Sequence, residues 1–329
     1  MQPDISIIIP THNASRIIDT VLSSVSSNAG IDKEVIVVDD ASTDNTTEIV
    51  QKHPCRLIAL KEQSGPSHAR NRGAREARSS ILMFMDSDAL IEPDTLGKIL
   101  LKFKENPGAA CISGVFEKNP DHSSLCAKYR DLQLHYWHRT TTGDASVFIL
   151  TAGAIRKEVF FEVGGFSTSF GKFADIEDYE IGHRIAKKYR MITAPDIRFH
   201  HLEHASPLPV LVAKLFRRAR MWVPLFLQRK QFEKNYATRN RALAVLCVGT
   251  AACMTCLSLY WHAGIYAAAV LTGLFFMLDL GFYLFLLKQG GPFFLIVAAG
   301  LHLLLSVVLF SGAVVGGLGF LLKKLSGRA

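Results

Sequence analysis

The stretch "LMFMDSDALIEPD", Leu82 to Asp94, sets Asp86 and Asp88 one residue apart directly after an apolar run. If the strand has already opened into a turn, both carboxylates reach the same small volume. They repel each other there unless a cation sits beside them. Hard oxygen ligands favour Mg²⁺ or Mn²⁺, ions that keep open positions for phosphate oxygens. The chemistry pointed to is the binding of a nucleotide diphosphate compound through a divalent cation. A D-x-D alone is a common surface turn, so its weight depends on the elements that carry it.

Those elements alternate. "ISIIIP" is a β-branched run ending at Pro10, "EVIVVDD" a second ending at Asp39 and Asp40, "CRLIAL" a third and "SILMFMD" a fourth, with helix-compatible stretches between. This rhythm predicts an α/β domain with a mostly parallel, Rossmann-like sheet. Ligands of such sheets bind beyond the carboxyl ends of the strands. Pro10, Asp39, Asp40, Asp86 and Asp88 all fall at those ends. The opening run reads as a strand and not as a secretory signal, since it lacks a basic flank and a cleavage site.

The rest of the 329-residue chain has another composition. From Ala242 to Leu322 the only charged residues are Asp279 and Lys288. Three apolar spans are expected, 242–260, 265–287 and 293–322, each long enough for a hydrocarbon core of about 30 Å. The formal net charge is +8, and one segment accounts for it. Residues 206–241 hold Lys214, Arg217, Arg218, Arg220, Arg229, Lys230, Lys234, Arg239 and Arg241 against the single acid Glu233. Interleaved with Leu211, Leu215, Phe216, Trp222, Leu225 and Phe226, they suit a helix lying on an anionic inner leaflet, with a solvated basic helix or nucleic-acid patch as the alternative. Positive flanks also place this side in the cytoplasm. The six cysteines show no pairing pattern, and Cys253 and Cys256 fall inside an expected span.

Five segments in order resemble the family-2 glycosyltransferases of GT-A fold: "SIIIPTHN" (6–13), "EVIVVDDASTDNT" (34–46), "GPSHARNRGA" (65–74), "FMDSD" (84–88) and "VGGFSTSFGKFADIEDYEIGHRI" (163–185). The resemblance covers roughly residues 1–205. It implies an inverting transfer of sugar from a nucleotide diphosphate donor, with Mg²⁺ or Mn²⁺ as cofactor. Pro10 is then expected in the loop beneath the nucleotide. Asp40 would read the base, with Asp39 as its structural partner; the plain alternative for Asp40 is an N-cap for the helix near Asp44. Arg70 would lie near the donor phosphates or base, or else be an exposed helix arginine. Asp86 would contact ribose or ion, and Asp88 would ligate the ion. Of the acidic pair Glu177 and Asp178, Asp178 aligns with the base that an inverting transfer needs; both could equally cap the helix that follows. His200 or His201, and less so His204, would lie near the diphosphate or ion. "RRARMW" (217–222) departs from the Q-x-x-R-W signature of processive synthases, having no Gln and a Met before Trp222.

The expectation is a catalytic domain over 1–205, a basic amphipathic connector over 206–241, and a transmembrane region over 242–329. Its partners would be a nucleotide-sugar donor, a lipid or lipid-linked acceptor and the membrane, not nucleic acid. The expected place is the inner (plasma) membrane, multi-pass, with the catalytic domain cytoplasmic. Alternatives are a processive polysaccharide synthase, an inactive nucleotide-sugar-binding membrane protein, or a small transporter marked by Asp279 and His302; three spans are few for a translocation path, so both residues read as inter-helix contacts. His135, Trp137 and Arg139 fall in a region, 117–144, expected to face the acceptor, without assigned roles.

Overall fold

The structure, a computed structural model, describes residues 2–119, 122, 124–139, 143–145, 148–172, 176–202, 207–230, 232 and 238–326. The chain divides into two compact units, Met1–Asn119 with His138–Glu203, and Pro120–Trp137 with His204–Ala329.

The first unit is built on a nine-stranded sheet. The four sequence-expected strands form its parallel half: β1 (Ile5–Thr11), β2 (Lys33–Asp39), β3 (Arg56–Ala59) and β4 (Ile81–Met85) lie in the order β3-β2-β1-β4. Every residue of β1 is buried, as a strand covered on both faces requires. The helices covering this half are α1 (Ile18–Ser26), the short α2 (Thr46–Val50) and α3 (Pro66–Glu76). α3 lies so close to β1 that a Cβ on Gly73 would stand 2.5 Å from Ile8 Cγ2. Beyond β4 the sheet becomes mixed. β8 (Ala152–Arg156) runs antiparallel to both β4 and β6 (Ala109–Phe116), and β9 (Arg190–His201) pairs parallel with β6 and antiparallel with the short β5 (Ala89–Ile91) and β7 (Gly143–Asp144). Helices α4 (Thr95–Glu105), α6 (Lys157–Glu162) and α7 (Glu177–Ala186) complete the unit.

The second unit is helical: α5 (Leu125–Arg139, up to Trp137), α8 (Leu208–Arg229), α9 (Arg239–Leu257), α10 (Gly264–Leu278) and α11 (Leu280–Leu325). Two of these, α9 and α11, are long and apolar enough to cross a membrane. Many large apolar side chains on α10 and α11 face outward, Tyr266, Met277, Phe293 and Ile296 among them. The unit is suited to association with a membrane.

Two expectations change here. The span drawn over 265–287 is interrupted, because α10 ends at Leu278 and Asp279 is non-helical at φ −114°, ψ 22°. At 15 residues α10 is about 22 Å long, short of a full core. The span drawn over 293–322 follows a kink at Gly291, which sits at φ 73° ahead of Pro292. The connector changes as well. Of its apolar stripe, Leu211 and Leu215 are buried in a cluster with Leu305, and Ala219 is buried too, so this face of α8 meets protein where lipid was expected. The approach is backbone to backbone: a Cβ on Gly312 would lie 2.4 Å from Phe216 O, and one on Gly316 2.3 Å from Arg220 O. The contacts advance together along both helices, so α8 and the end of α11 run parallel.

Candidate active site

The site is assembled where β1, β2 and β4 end side by side. Thr11 pairs with Asp39 in the β1–β2 register, and the Asp40 amide donates to Thr11 O at 2.8 Å. Asp39 folds onto its own turn, accepting from the Ser42 amide at 3.0 Å and from the Ser42 hydroxyl. Asp40 is buried and accepts from the amides of Ser64 (2.7 Å) and Gly65 (2.8 Å), which places it at the entrance to α3. It caps no helix at α2. The N-cap there is Asn45, and Asp44 just before it accepts from the Thr46 amide and hydroxyl and from the Ser15 amide. Burial would raise the Asp44 pKa, but these bonds outweigh it and hold the carboxyl well below its ordinary range. Asn13 and Ala41 flank the strand ends at φ 52° and 59°. A left-handed alanine costs roughly 1–2 kcal/mol, so the surrounding bonds must hold this loop in place.

Pro10 is corrected by the structure. It lies inside β1, opposite Val38 and buried, and not in a loop. It follows the last β1–β4 pair, Ile8 with Phe84, where the ladder on that side no longer needs an N–H.

At the end of β4 the chain turns at once, the Ala89 amide donating to Asp86 O at 3.1 Å, and enters β5. β5 pairs with the end of β9, Ala89 opposite His201 and Leu90 opposite His200. That pairing brings His201 Nδ1 to 3.3 Å from Asp88 Oδ1. Ligand atoms of Asp86, Asp88 and His201 all lie within 4.8 Å of one another. Two carboxylates and an imidazole on a partly open surface fit a divalent cation. His200, its neighbour along the strand, points to the other face and is outside this cluster. His204 lies outside the described residues.

Asp86 is held on both oxygens, by Arg70 Nη2 at 2.7 Å and by the Thr151 hydroxyl at 3.1 Å. Thr151, just before β8, has no sequence signal, since only the antiparallel β4–β8 pairing brings it here. Arg70 also donates through Nη1 to Glu177 Oε1 at 2.8 Å. It is 5% exposed, which excludes the exposed-helix reading. Burial disfavours its charge, yet the two carboxylates outweigh that and raise its pKa.

The acidic pair divides. Glu177 is buried against Arg70, whereas Asp178 is half-exposed at the start of α7, with Oδ1 accepting from the Tyr179 amide at 2.9 Å. The segment before α7 is tied back to α3. Asn71 Nδ2 donates to Phe166 O at 2.8 Å, and its Oδ1 accepts from the Phe166 amide at 2.9 Å. Gly65, at φ 93°, admits the 171 loop so closely that a Cβ there would stand 2.6 Å from Gly171 O. Thus α3 gathers three groups at one place: the loop that Asp40 holds, the D-x-D turn and the acidic pair.

Residues 6–164 match the family described as glycosyl transferase family 2. A poly-β-1,6-N-acetyl-D-glucosamine synthase of Staphylococcus epidermidis is 30% identical over 136 residues, covering 39% of this chain and 32% of that protein. The chain thus matches about a third of the length of that relative. Among solved structures, mannosyltransferase PcManGT from Pyrobaculum calidifontis, in complex with GDP-Man and Mn²⁺, superposes with a TM-score of 0.54 at 22% identity, covering 100% of this chain and 89% of that one. Staphylococcus aureus TarS 1–349, in complex with UDP-GlcNAc, gives 0.51 at 16% identity, covering 99% and 92%. These likenesses establish the GT-A fold. Residues 6–164, which carry the strand-end carboxylates, thus match a family-2 glycosyltransferase domain in sequence and in fold.

Proposed function

We propose that the chain is an inverting glycosyltransferase that moves a sugar from a nucleotide diphosphate donor to a lipid-linked acceptor at the cytoplasmic face of the inner membrane. The observation that carries this reading is the meeting, on one guanidinium, of the D-x-D carboxylate Asp86 and of Glu177, the neighbour of Asp178. Donor-side and acceptor-side groups are thereby held in one place.

In this reading residues 1–205 are the catalytic domain, 206–241 a basic connector and 242–329 the membrane region. Asp40 and the loop around it receive the base, with Asp39 shaping the turn. Asp86, Asp88 and His201 hold Mn²⁺ or Mg²⁺, and the imidazole favours Mn²⁺. When bound, the ion supplies positive charge to the departing diphosphate. Asp178 accepts the proton of the acceptor hydroxyl as its oxygen bonds to the anomeric carbon and the bond from that carbon to the diphosphate oxygen breaks. Only a base on the far side of the sugar from the leaving group serves an inverting displacement. Asp178 suits this role because it is half-exposed, while Glu177 is closed by Arg70.

The lipid acceptor rests on α9, α11 and the basic residues of α8, which favour an anionic surface at about 1 kcal/mol each. A second reading, a processive synthase, is favoured by the likeness to the poly-N-acetylglucosamine synthase. A panel of UDP- and GDP-sugars with Mn²⁺ or Mg²⁺ tests the enzyme: hydrolysis of one donor is expected, and inertness toward all would refute the proposal. With lipid acceptor present, a single added sugar supports the main reading and a ladder of products the second. Protease outside sealed spheroplasts should leave residues 1–205 uncut.

A further inference from the structure

Among the described residues, Arg70 is the one that touches both halves of the proposed chemistry, although it needs to touch neither substrate. Its Nη2 holds Asp86 Oδ1 and its Nη1 holds Glu177 Oε1, partners 16 and 107 positions away in the chain. The guanidinium lies 5.7 Å over the Phe166 ring, in the segment that Asn71 clamps to α3. Its Nε is buried and makes no hydrogen bond among the described residues. A buried arginine placed for stability alone would be expected to satisfy all its donors. This one is aimed so that its two terminal nitrogens reach two different carboxylates. A buried ion pair is weak evidence for stability, because desolvation consumes most of the attraction.

We infer that Arg70 is a positioning residue, which sets the distance between the donor-holding turn at Asp86 and the first turn of α7 that carries Asp178. This rests on the donor and base roles proposed for Asp86 and Asp178. The planar fork of arginine is fitted to such bridging. One rigid group fixes two oxygens on separate elements, whereas the single ammonium of lysine cannot hold both along fixed directions. Glu177 is then the acceptor-side anchor of the bridge, and the half-exposed Asp178 sits beside it. The arrangement matters because displacement chemistry needs the reacting atoms about 3–3.5 Å apart and aligned, and a misplacement of about 1 Å costs about 100-fold in rate.

The test uses full-length protein in nanodiscs, with UDP-N-acetylglucosamine and GDP-mannose as donor probes and Mn²⁺ present. Arg70→Met and Arg70→Lys should each lower kcat for donor hydrolysis about 100-fold, with donor KM within about threefold of wild type. Glu177→Gln keeps an oxygen for Nη1 and should fall only about tenfold, and it stands in should the Arg70 variants fail to fold. Without any donor, amide exchange at Glu180 to Gly182 should quicken about tenfold in Arg70→Met as the start of α7 loosens, while β1 and β2 stay protected. A donor KM raised more than about tenfold at near-normal kcat would make Arg70 a direct donor contact and overturn the inference. A lowered melting temperature with unchanged kcat per folded molecule, or unchanged exchange at α7, would overturn it too. Should wild type cleave neither probe, the exchange result alone decides the role of Arg70, and the inertness counts separately against the donor reading.

Discussion

The two units solve the problem of holding backbone in place by opposite means. At the strand ends of the first unit, carboxylates grip backbone amides: Asp39 takes Ser42, Asp40 takes Ser64 and Gly65, Asp44 takes Ser15 and Thr46. In the second unit small residues let backbones touch, with Gly312 and Gly316 of α11 against the carbonyls of α8. Polar grips suit loops that must stay open to a charged ligand, since each carboxylate is fixed without filling the cleft. Close packing suits apolar helices, which gain little from the hydrophobic effect when lipid is their alternative neighbour. Charge changes should therefore damage the first unit and volume changes the second.

The largest effect is expected at Asp178. Asp178→Asn keeps the shape and the bond from the Tyr179 amide but removes the proposed base, so transfer should fall by roughly 1,000-fold or more, about 4 kcal/mol of barrier. Donor binding, read by calorimetry, should stay within about threefold of wild type. Equal loss of donor binding would mean that the acidic pair serves the donor, and the division between Glu177 and Asp178 would collapse.

Next in size is Asp88→Asn. Replacing one of two carboxylates facing His201 should weaken Mn²⁺-dependent donor binding about 100-fold, near 3 kcal/mol. Binding of the nucleotide without metal should change little. If metal-free and metal-dependent binding dropped together, the Asp88–His201 pair would be bracing the β5–β9 end and not presenting a cation site.

What could be read from the sequence follows the same divide. β1, β2 and β4, with the carboxylates at their ends, are visible because a buried strand is a local pattern and its carboxyl end is a fixed direction. The Arg70 bridge is invisible locally, since it needs α3 and α7 to meet across 107 positions. Thr151 and the choice of His201 over His200 depend on antiparallel pairings, β4 with β8 and β5 with β9, that no short motif announces. In the second unit composition alone marks an apolar region, and hydropathy cannot tell where helices break. Asp279 is the paired residue expected, 3.7 Å from His302, but it also ends α10, which composition does not show. Gly291 and Pro292 did carry a breaking signal, but the same residues are tolerated inside membrane helices.

The packing half of the contrast is tested at Gly316. Gly316→Val places a branched side chain where even Cβ would meet Arg220 O at 2.3 Å, so α8 and α11 must separate. A loss of about 1–3 kcal/mol is expected, seen as a lower melting temperature of the detergent-solubilised protein. Donor hydrolysis by the first unit should survive at temperatures below that transition. Loss of hydrolysis without a change in melting would show that the helical unit governs the catalytic one by something other than stability.

The smallest effect sharpens the polar half, and it is a matter of pH. Asp44 has its pKa depressed in the folded protein: burial opposes the shift, and the hydrogen bonds from Thr46 and Ser15 overcome it. A depressed carboxyl binds fewer protons folded than unfolded, so the stability it lends is complete above the unfolded pKa of about 3.9 and is lost as pH falls through the folded value. Asp44→Asn retains one accepting oxygen but loses the charge, and should cost about 1 kcal/mol at neutral pH, as loss of a comparable side-chain grip does. Measured by denaturant unfolding, the gap between wild type and Asp44→Asn should be constant from about pH 7 to pH 5 and narrow steadily below about pH 4. A gap independent of pH would mean that the amide fails through geometry, not charge. The grip on the Asn13 and Ala41 loop would then be a matter of shape, as at Gly312 and Gly316, and the contrast between the two units would lose its electrostatic side.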